Sequence, residues 1–405
     1  MHAAATVAGI LLLALVLLDA FQTIILPRRP VGRFRITRLF LLSTWYPWTA
    51  IVALVPSRRS REQMYSVFGP LSLLVLFILW AMLLTSAYAL IYFGLREPFS
   101  DPTHPITSFQ LLRSCWYVSG TTIFTLGLGD VQPTNHIARF LIVLEAGTGL
   151  GFVALVIGYV PVLYTSFSNR EISIALLDAR AGSPPSAGEA LIRHNFNGGH
   201  QALNTLLSEW ERWSATMLET HISYPILCYY RSQHDNQSWL SALTAILDTC
   251  ALLITTVEGP STRQAQLTFT IARHVLVDLG HVFRLEKREK HYRDNPPARL
   301  SDEEFNRLCA ALGEAGFSLC GTPDTRARLA KVRKLYEPHA QAVADYLHLE
   351  LPLWMPPPPG PNAKPDNWKT VSDLRTPAAL ADRITVHINQ LSTASRLNDE
   401  EAHPL

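Results

Sequence analysis

"TTIFTLGLGDVQP", from Thr121 to Pro133, holds two glycines, an acid and a proline between two long apolar stretches. Whether this strip is a surface turn or a loop held at membrane depth decides the fold. Leu71–Leu95 before it and Ile137 to Phe167 after it are each long enough for a bilayer-crossing helix, which needs about 20 mostly apolar residues. Residues 108–124 are moderately apolar and, at about 1.5 Å per residue, have the length of a helix reaching halfway through a bilayer. A strip facing lipid would leave its backbone groups without partners, so it is tolerated there only when buried in protein or lining water. An ordinary turn requires neither the half-length helix nor the alternation Thr-X-Gly-X-Gly.

That alternation has a physical consequence. Glycine reaches left-handed backbone angles cheaply. Alternated with ordinary residues, it directs successive carbonyls to one side, and a column of such carbonyls replaces the hydration shell of a cation. Surrounding an ion takes four strips and the chain has one, so a homotetramer is expected and a single chain with four internal loops is excluded.

In this setting "SCWYVSGTTIFTLGLGDVQP" (Ser114–Pro133) resembles the pore loop of potassium channels, whose usual filter reads T-V-G-Y-G-D. It resembles most the prokaryotic and two-pore-domain-like versions. The order span, pore helix, filter, span over residues 70–168 is also that of the family. The resemblance implies that Thr125, Leu126, Gly127 and Leu128 supply K⁺-binding carbonyls and that the Thr125 hydroxyl closes the cavity end. It implies that Gly127 and Gly129 permit the backbone, while Asp130 attracts cations at the outer mouth and braces the filter. K⁺ is the implied permeant ion, with no cofactor. Three residues depart from the family pattern. Leu128 stands where a tyrosine hydroxyl normally ties the filter to the pore helix, Phe124 where a second threonine is usual, and Thr121 where an acid is often found. A weakly selective cation channel is therefore the neighbouring alternative.

In an ungapped comparison Gly149 falls where the family's inner helices carry a hinge glycine. Close packing through small residues is the alternative. Val153 and Ile157 follow at steps of four on the same helical face. They are expected to line a cavity below the filter and narrow it by dewetting, with plain core packing as the alternative. Pro161 removes one helical hydrogen bond and is expected to kink the helix near its inner end. Glu145 is expected behind the filter, bonded to a pore-helix hydroxyl such as Ser119 or Thr122. "GTGLG" at Gly147–Gly151 follows no strand and lies in an apolar helix, so it is not a nucleotide loop.

Ala3–Leu26 reads as a further span and not a signal peptide. No basic region precedes it, no small-residue cleavage site ends it, and Pro-Arg-Arg follows. Its one acid, Asp19, either pairs with an arginine after Leu26 or lies near the inner interface. Residues 39–56 are short, contain Pro47, Trp45, Tyr46 and Trp48, and have arginines on both flanks. They read as an interfacial or re-entrant helix, with a fourth full span as the alternative. Arg58, Arg59, Arg61 and Arg170 put the start of the second long span and the end of the third inside.

Nearly half of the 405 residues (48%) are hydrophobic and only 17% charged, against about 25% charged in soluble domains. Net charge is +2, so no nucleic-acid partner is expected, and the five cysteines have no metal-ligand spacing. After Asn169 the composition becomes that of a soluble protein. Gly182, Pro184 and Pro185 punctuate a linker, with Ser186 as a cap for the next helix. Helices are expected over 187–220, 236–257, 263–290, 301–315, 323–348 and 376–395. Trp239–Val257 reads as a buried core helix in preference to another span. No nucleotide-binding fingerprint and no pairing of nucleophile and base occur, so no enzyme is expected and the regulatory ligand is not identified.

The expected architecture is an all-α membrane protein: a two-helix-plus-pore-loop potassium channel fold with extra N-terminal membrane helices and a C-terminal helical cytoplasmic domain. Its expected segments are an N-terminal span and interfacial helix (1–68), a pore domain (69–168), a linker (169–190), a helical domain (191–350), and a Pro-rich linker with a last helix (351–405). The partners are further copies of the chain and the lipid bilayer. A membrane-anchored signalling protein or enzyme, whose pore-like region only oligomerises, is the alternative of a different class.

Overall fold

The computed structural model describes residues 2–26, 35–95, 98–100, 108–196, 198–232, 237–319 and 324–356. The chain divides into two compact units, the first of residues 1–169 with 217–232, the second of 170–216 with the remainder.

In the first unit, α1 (His2–Ala20) is prolonged by a π turn (Phe21–Ile25), and α2 (Ile36–Ala53) contains Pro47. Then come α3 (Arg58–Gly94), α4 (Ser108–Ile123) and the start of α5 (His136–Ala181). Among the described residues, three helices are long and apolar enough to cross a membrane: His2–Ile25, Arg58–Gly94 and His136–Ala181. Their apolar residues are not confined to one stripe. Leu11, Leu74, Ile78 and Val143 all face outward from the chain, as helices do when lipid or other copies surround them.

Asp19 shows how the N-terminal helices are tied to α3. Its buried carboxylate accepts from the Thr37 N–H (3.1 Å), the Thr37 hydroxyl (2.6 Å) and the Trp80 indole N–H (3.0 Å). The Arg35 guanidinium stands 3.9 Å from its other oxygen. An acid in an apolar helix needs such partners, and of the two readings of Asp19 the pairing is the one observed.

The aromatic residues of α2 behave unequally. Trp45, expected at headgroup level, is buried. Its ring lies 4.7 Å from Phe68 and 5.0 Å from Tyr229, the latter in a 3₁₀ turn (Pro225–Tyr229) that belongs to the same unit. Tyr46 is the exposed one, at 53%. Trp45 is thus a packing residue, because rings from α3 and the 3₁₀ turn enclose it.

Two expected boundaries shift. Ser57 caps α3 by accepting from the Ser60 N–H (3.4 Å), so residues 58–68 are the first turns of the outer helix and not a separate segment. At its far end α5 continues past Phe167 to Ala181, so the first part of the 169–190 stretch is helix. The break falls at Gly182, whose φ of +86° closes the last turn with a bond to the Asp178 carbonyl.

The second unit holds α6 (Ala187–Arg193), capped by Ser186 as expected, and most of α7 (Gly199–Ser223). It continues with α8 (Trp239–Thr255), α9 (Thr262–Phe283), α10 (Glu286–Asp294), α11 (Asp302–Glu314), α12 (Thr325–Arg333) and α13 (Glu337–Leu347). The central helix is α8, buried over almost its whole surface. Its hydroxyls are satisfied within the helix: Thr244, Thr249 and Thr255 each donate to the carbonyl four residues back at 2.7 Å. This is the expected core helix.

Three stretches expected as single helices are each two. The breaks follow Arg193, fall at Arg284 (φ +57°), and lie at 334–336. At Arg284 the chain closes with the Leu285 N–H on the Gly280 carbonyl (2.8 Å), a left-handed stop made without glycine. Cys115, Cys228 and Cys250 are buried free thiols. Cys320 and the expected helix at 376–395 lie outside the described residues.

Candidate functional site: the strip from Thr125 to Asp130

The strip begins where α4 ends. The Thr121 carbonyl accepts from Leu126 N–H (2.7 Å) and Gly127 N–H (3.3 Å), and the Thr122 carbonyl from Thr125 N–H (2.9 Å). The chain therefore leaves the helix abruptly and runs on in a backbone that alternates in hand. Thr125, Gly127 and Gly129 have φ of +57°, +53° and +74°, while Leu126 and Leu128 between them keep ordinary negative values. A left-handed threonine is disfavoured by about 1–2 kcal/mol, so local preference does not put it there. The carbonyl oxygens of Thr125, Leu126, Gly127 and Leu128 accept no hydrogen bond among the described residues.

The outer end is fastened separately. Tyr117 on α4 donates its hydroxyl to Asp130 (2.8 Å). A two-residue strand, β1 (Phe99–Ser100), pairs antiparallel with β2 (Gln132–Pro133), Phe99 opposite Pro133. The Thr134 N–H adds a bond to the Pro98 carbonyl (2.9 Å), and Asn135 caps α5 by accepting from the Ala138 N–H (2.8 Å). Both ends of the strip are held, while the carbonyls between them accept nothing from the described residues.

Behind the strip, Glu145 on α5 has no solvent exposure. Tyr92 on α3 donates to it (2.6 Å), and its other oxygen meets the Ser119 hydroxyl on α4. Of the two pore-helix hydroxyls expected for it, Ser119 is the one it meets. One turn on, the Tyr88 hydroxyl and Thr148 share a bond of 2.9 Å. Three helices are joined at this point.

Gly149 lies against the end of α4, where an added Cβ would collide with the Ile123 carbonyl oxygen and come within 3.0 Å of its Cα. Its neighbours Gly147 and Gly151 have nothing within 4 Å. Close approach explains Gly149 without a hinge, and α5 is continuous through both Gly149 and Pro161. Gly149→Ala is expected to push α5 off α4 and to destabilise the first unit by about 1–3 kcal/mol, the usual cost of overpacking. A lower melting temperature in detergent would register it. Val153 and Ile157 line an apolar groove of about 250 Å³, together with Phe77 and Ile78 of α3 and Phe124 at the start of the strip. In the lone chain Ile157 remains 67% exposed.

The partners Tyr117 and Tyr92 were not singled out from the sequence. Each stands too far along the chain from its acid for any local spacing to give it away.

Residues 74–165, from within α3 through α4 and the strip to most of α5, match the family profile described as "Ion channel". The chain is also 26% identical over 247 residues to "Uncharacterized membrane protein YdjJ" of Bacillus subtilis (strain 168), an alignment covering 60% of this chain and 67% of that protein. No solved structure matches it significantly. With its three long apolar helices, the chain is a membrane protein carrying an ion-channel-like segment.

Proposed function

We propose that the protein is a homotetrameric, potassium-selective channel that conducts passively through the strip from Thr125 to Asp130. One observation carries this reading: four consecutive carbonyl oxygens, Thr125 to Leu128, are unclaimed by any described residue of their own chain, in a backbone of alternating hand. Backbone carbonyls withdrawn from water need partners. On the axis of four copies, a dehydrated cation is that partner. The side chains alternating with them fit the same arrangement. Leu126 and Leu128 are 64% and 63% exposed in one chain and would be covered by neighbouring copies. The arginines at the start of α3 and at Arg170 support a cytoplasmic side for both ends, and the second unit is read as a helical regulatory module on that side.

Purified protein in liposomes, given opposing K⁺ and Na⁺ gradients, tests the reading. K⁺ flux is expected, and absence of flux for both ions would end it. A less selective cation channel is the second reading, favoured by Leu128, which has no hydroxyl to tie the middle of the strip. Reversal potentials in mixed K⁺ and Na⁺ separate the two, since near-equal permeabilities would favour the second. Tyr117→Phe removes the tie at Asp130. It is expected to lower the K⁺ over Na⁺ preference, read from the same reversal potentials.

A further inference from the structure

Ser119 presents a problem of counting protons. A serine hydroxyl has one proton to donate. Its Oγ touches two oxygens, the Thr85 backbone carbonyl at 2.9 Å and one carboxyl oxygen of Glu145. A carbonyl only accepts. If Ser119 donates to Thr85, the Glu145 oxygen facing Ser119 must carry a proton itself. If Ser119 donates to Glu145, two oxygens face each other at 2.9 Å with nothing between them, at a site without solvent. The second Glu145 oxygen is occupied by the Tyr92 hydroxyl. Only a protonated Glu145 satisfies every contact.

The surroundings agree. The groups nearest the carboxyl are neutral: Tyr88 and Tyr92 from α3, Ser119 from α4 with Cys115 beside Tyr92, and Thr148 on its own helix. No Lys, Arg or His forms an ion pair with Glu145 among the described residues. A bare carboxylate would be a buried charge without a counter-ion, the costliest case in protein interiors.

We propose that Glu145 is a positioning residue that works as a neutral acid. It donates to Ser119 and accepts from Tyr92, so it locks α5 and α3 to the pore helix. Loss of its proton leaves the single Ser119 hydroxyl proton facing two acceptors, so the bond to Thr85 or the one to Glu145 is lost and conduction falls. Ser119 lies two residues before Thr121, whose carbonyl anchors the Leu126 and Gly127 N–H groups, so the disturbance reaches the strip within one helical turn. The consequence for conduction rests on the channel reading above, whereas the protonation does not. The neutral form is the conducting one, so flux falls as pH rises.

The experiment uses the full chain and two readouts. In infrared spectra of wild type minus Glu145→Gln at neutral pH, a protonated-carboxyl C=O band is expected from the wild type. In liposomes, wild-type K⁺ flux is expected to drop about tenfold as pH is raised until that band disappears, the equivalent of one buried bond lost. Gln keeps both contacts, donating from Nε2 and accepting at Oε1. Its flux is expected to stay within about twofold of the low-pH wild type at every pH. Glu145→Ala strands Tyr92, removes the link from α5 to Ser119, and is expected to lose about tenfold. Absence of the infrared band, or a Gln variant as impaired as Ala, overturns the proposal. Wild type without flux at any pH would instead remove the channel reading, and the infrared band alone would then decide the protonation.

Discussion

Gly127→Ala is expected to abolish K⁺ flux while the protein still assembles. The position has φ of +53° and no atom within 4 Å of an added Cβ, so the methyl group meets no wall within its own chain. The penalty is in the backbone. An L-residue in the left-handed region costs about 1–2 kcal/mol. In a tetramer the four copies form one ring, which makes about 4–8 kcal/mol for that ring. The chain relieves this strain by turning φ negative, and the peptide planes on either side then rotate away from the axis. Since about 4 kcal/mol is nearly a thousandfold in an equilibrium, a conducting ring becomes a minor state. Flux in liposomes, beside light scattering to show unchanged assembly, checks both halves. Full flux from the variant would place the ion path elsewhere.

The strip was readable in advance because its signal is local. Glycine at alternate positions and left-handed angles at those same positions are one fact seen twice, whereas the left-handed Thr125 is not favoured by its own residue type and was not readable in this way. The long spans were readable for a similar reason, since hydropathy is summed over neighbours in the chain. What escaped is what comes from far away. Asp19 meets Trp80, Glu145 meets Tyr92, and Trp45 meets Tyr229, and each partner is supplied by another element. The end of α5 escaped for a different reason. At Asn169 the composition turns polar, but a change in polarity does not stop a helix, and the stop waits for Gly182. The helix break at Arg284 carries no glycine or proline at the turn, so no residue announced it, and the one at 334–336 was marked only by Pro338 in the first turn of α13. The 3₁₀ turn from Pro225 is the sharpest case. It lies inside the stretch expected to be the cytoplasmic domain, yet it packs with Phe68. Cutting the chain after residue 190 would therefore damage the first unit as well as remove the second.

A point substitution perturbs the second unit more cleanly, and Arg299→Met is expected to bring it close to unfolding. Asp248, at the centre of α8, has no solvent exposure. Arg299 reaches it at 2.7 Å and Glu337 at 3.0 Å, and Tyr336 donates its hydroxyl to the same aspartate. The guanidinium also donates to the Pro352 carbonyl (2.8 Å) and lies over the Trp354 ring, as does that of Arg333. One cation thus joins α8, α13 and the segment after α13. Burial alone would lower the Arg299 pKa, but attraction to Asp248, Tyr336 and Glu337 outweighs it and holds the guanidinium above its ordinary value. Burial holds Glu337 above the usual carboxylate range in spite of Arg299 and Arg333. Methionine fills much of the space and leaves two carboxyls without their shared partner. Breaking a buried pair from one side costs about 3–5 kcal/mol, a large part of the roughly 5–15 kcal/mol that holds a domain together. The urea midpoint, followed through tryptophan fluorescence, should fall accordingly. The sign with pH separates charge from packing. A carboxyl whose folded pKa is raised contributes stability below its unfolded value and loses it as pH rises through the folded value. Without the cation Glu337 loses an attraction that holds its carboxyl down, so the deficit of Arg299→Met should shrink as pH is lowered from neutral toward the ordinary carboxylate range. Adding Asp248→Asn to the variant is expected to recover about 1–3 kcal/mol at neutral pH by removing one stranded charge. A deficit independent of pH and untouched by the second substitution would assign the loss to the Trp354 contact instead of to the buried charges.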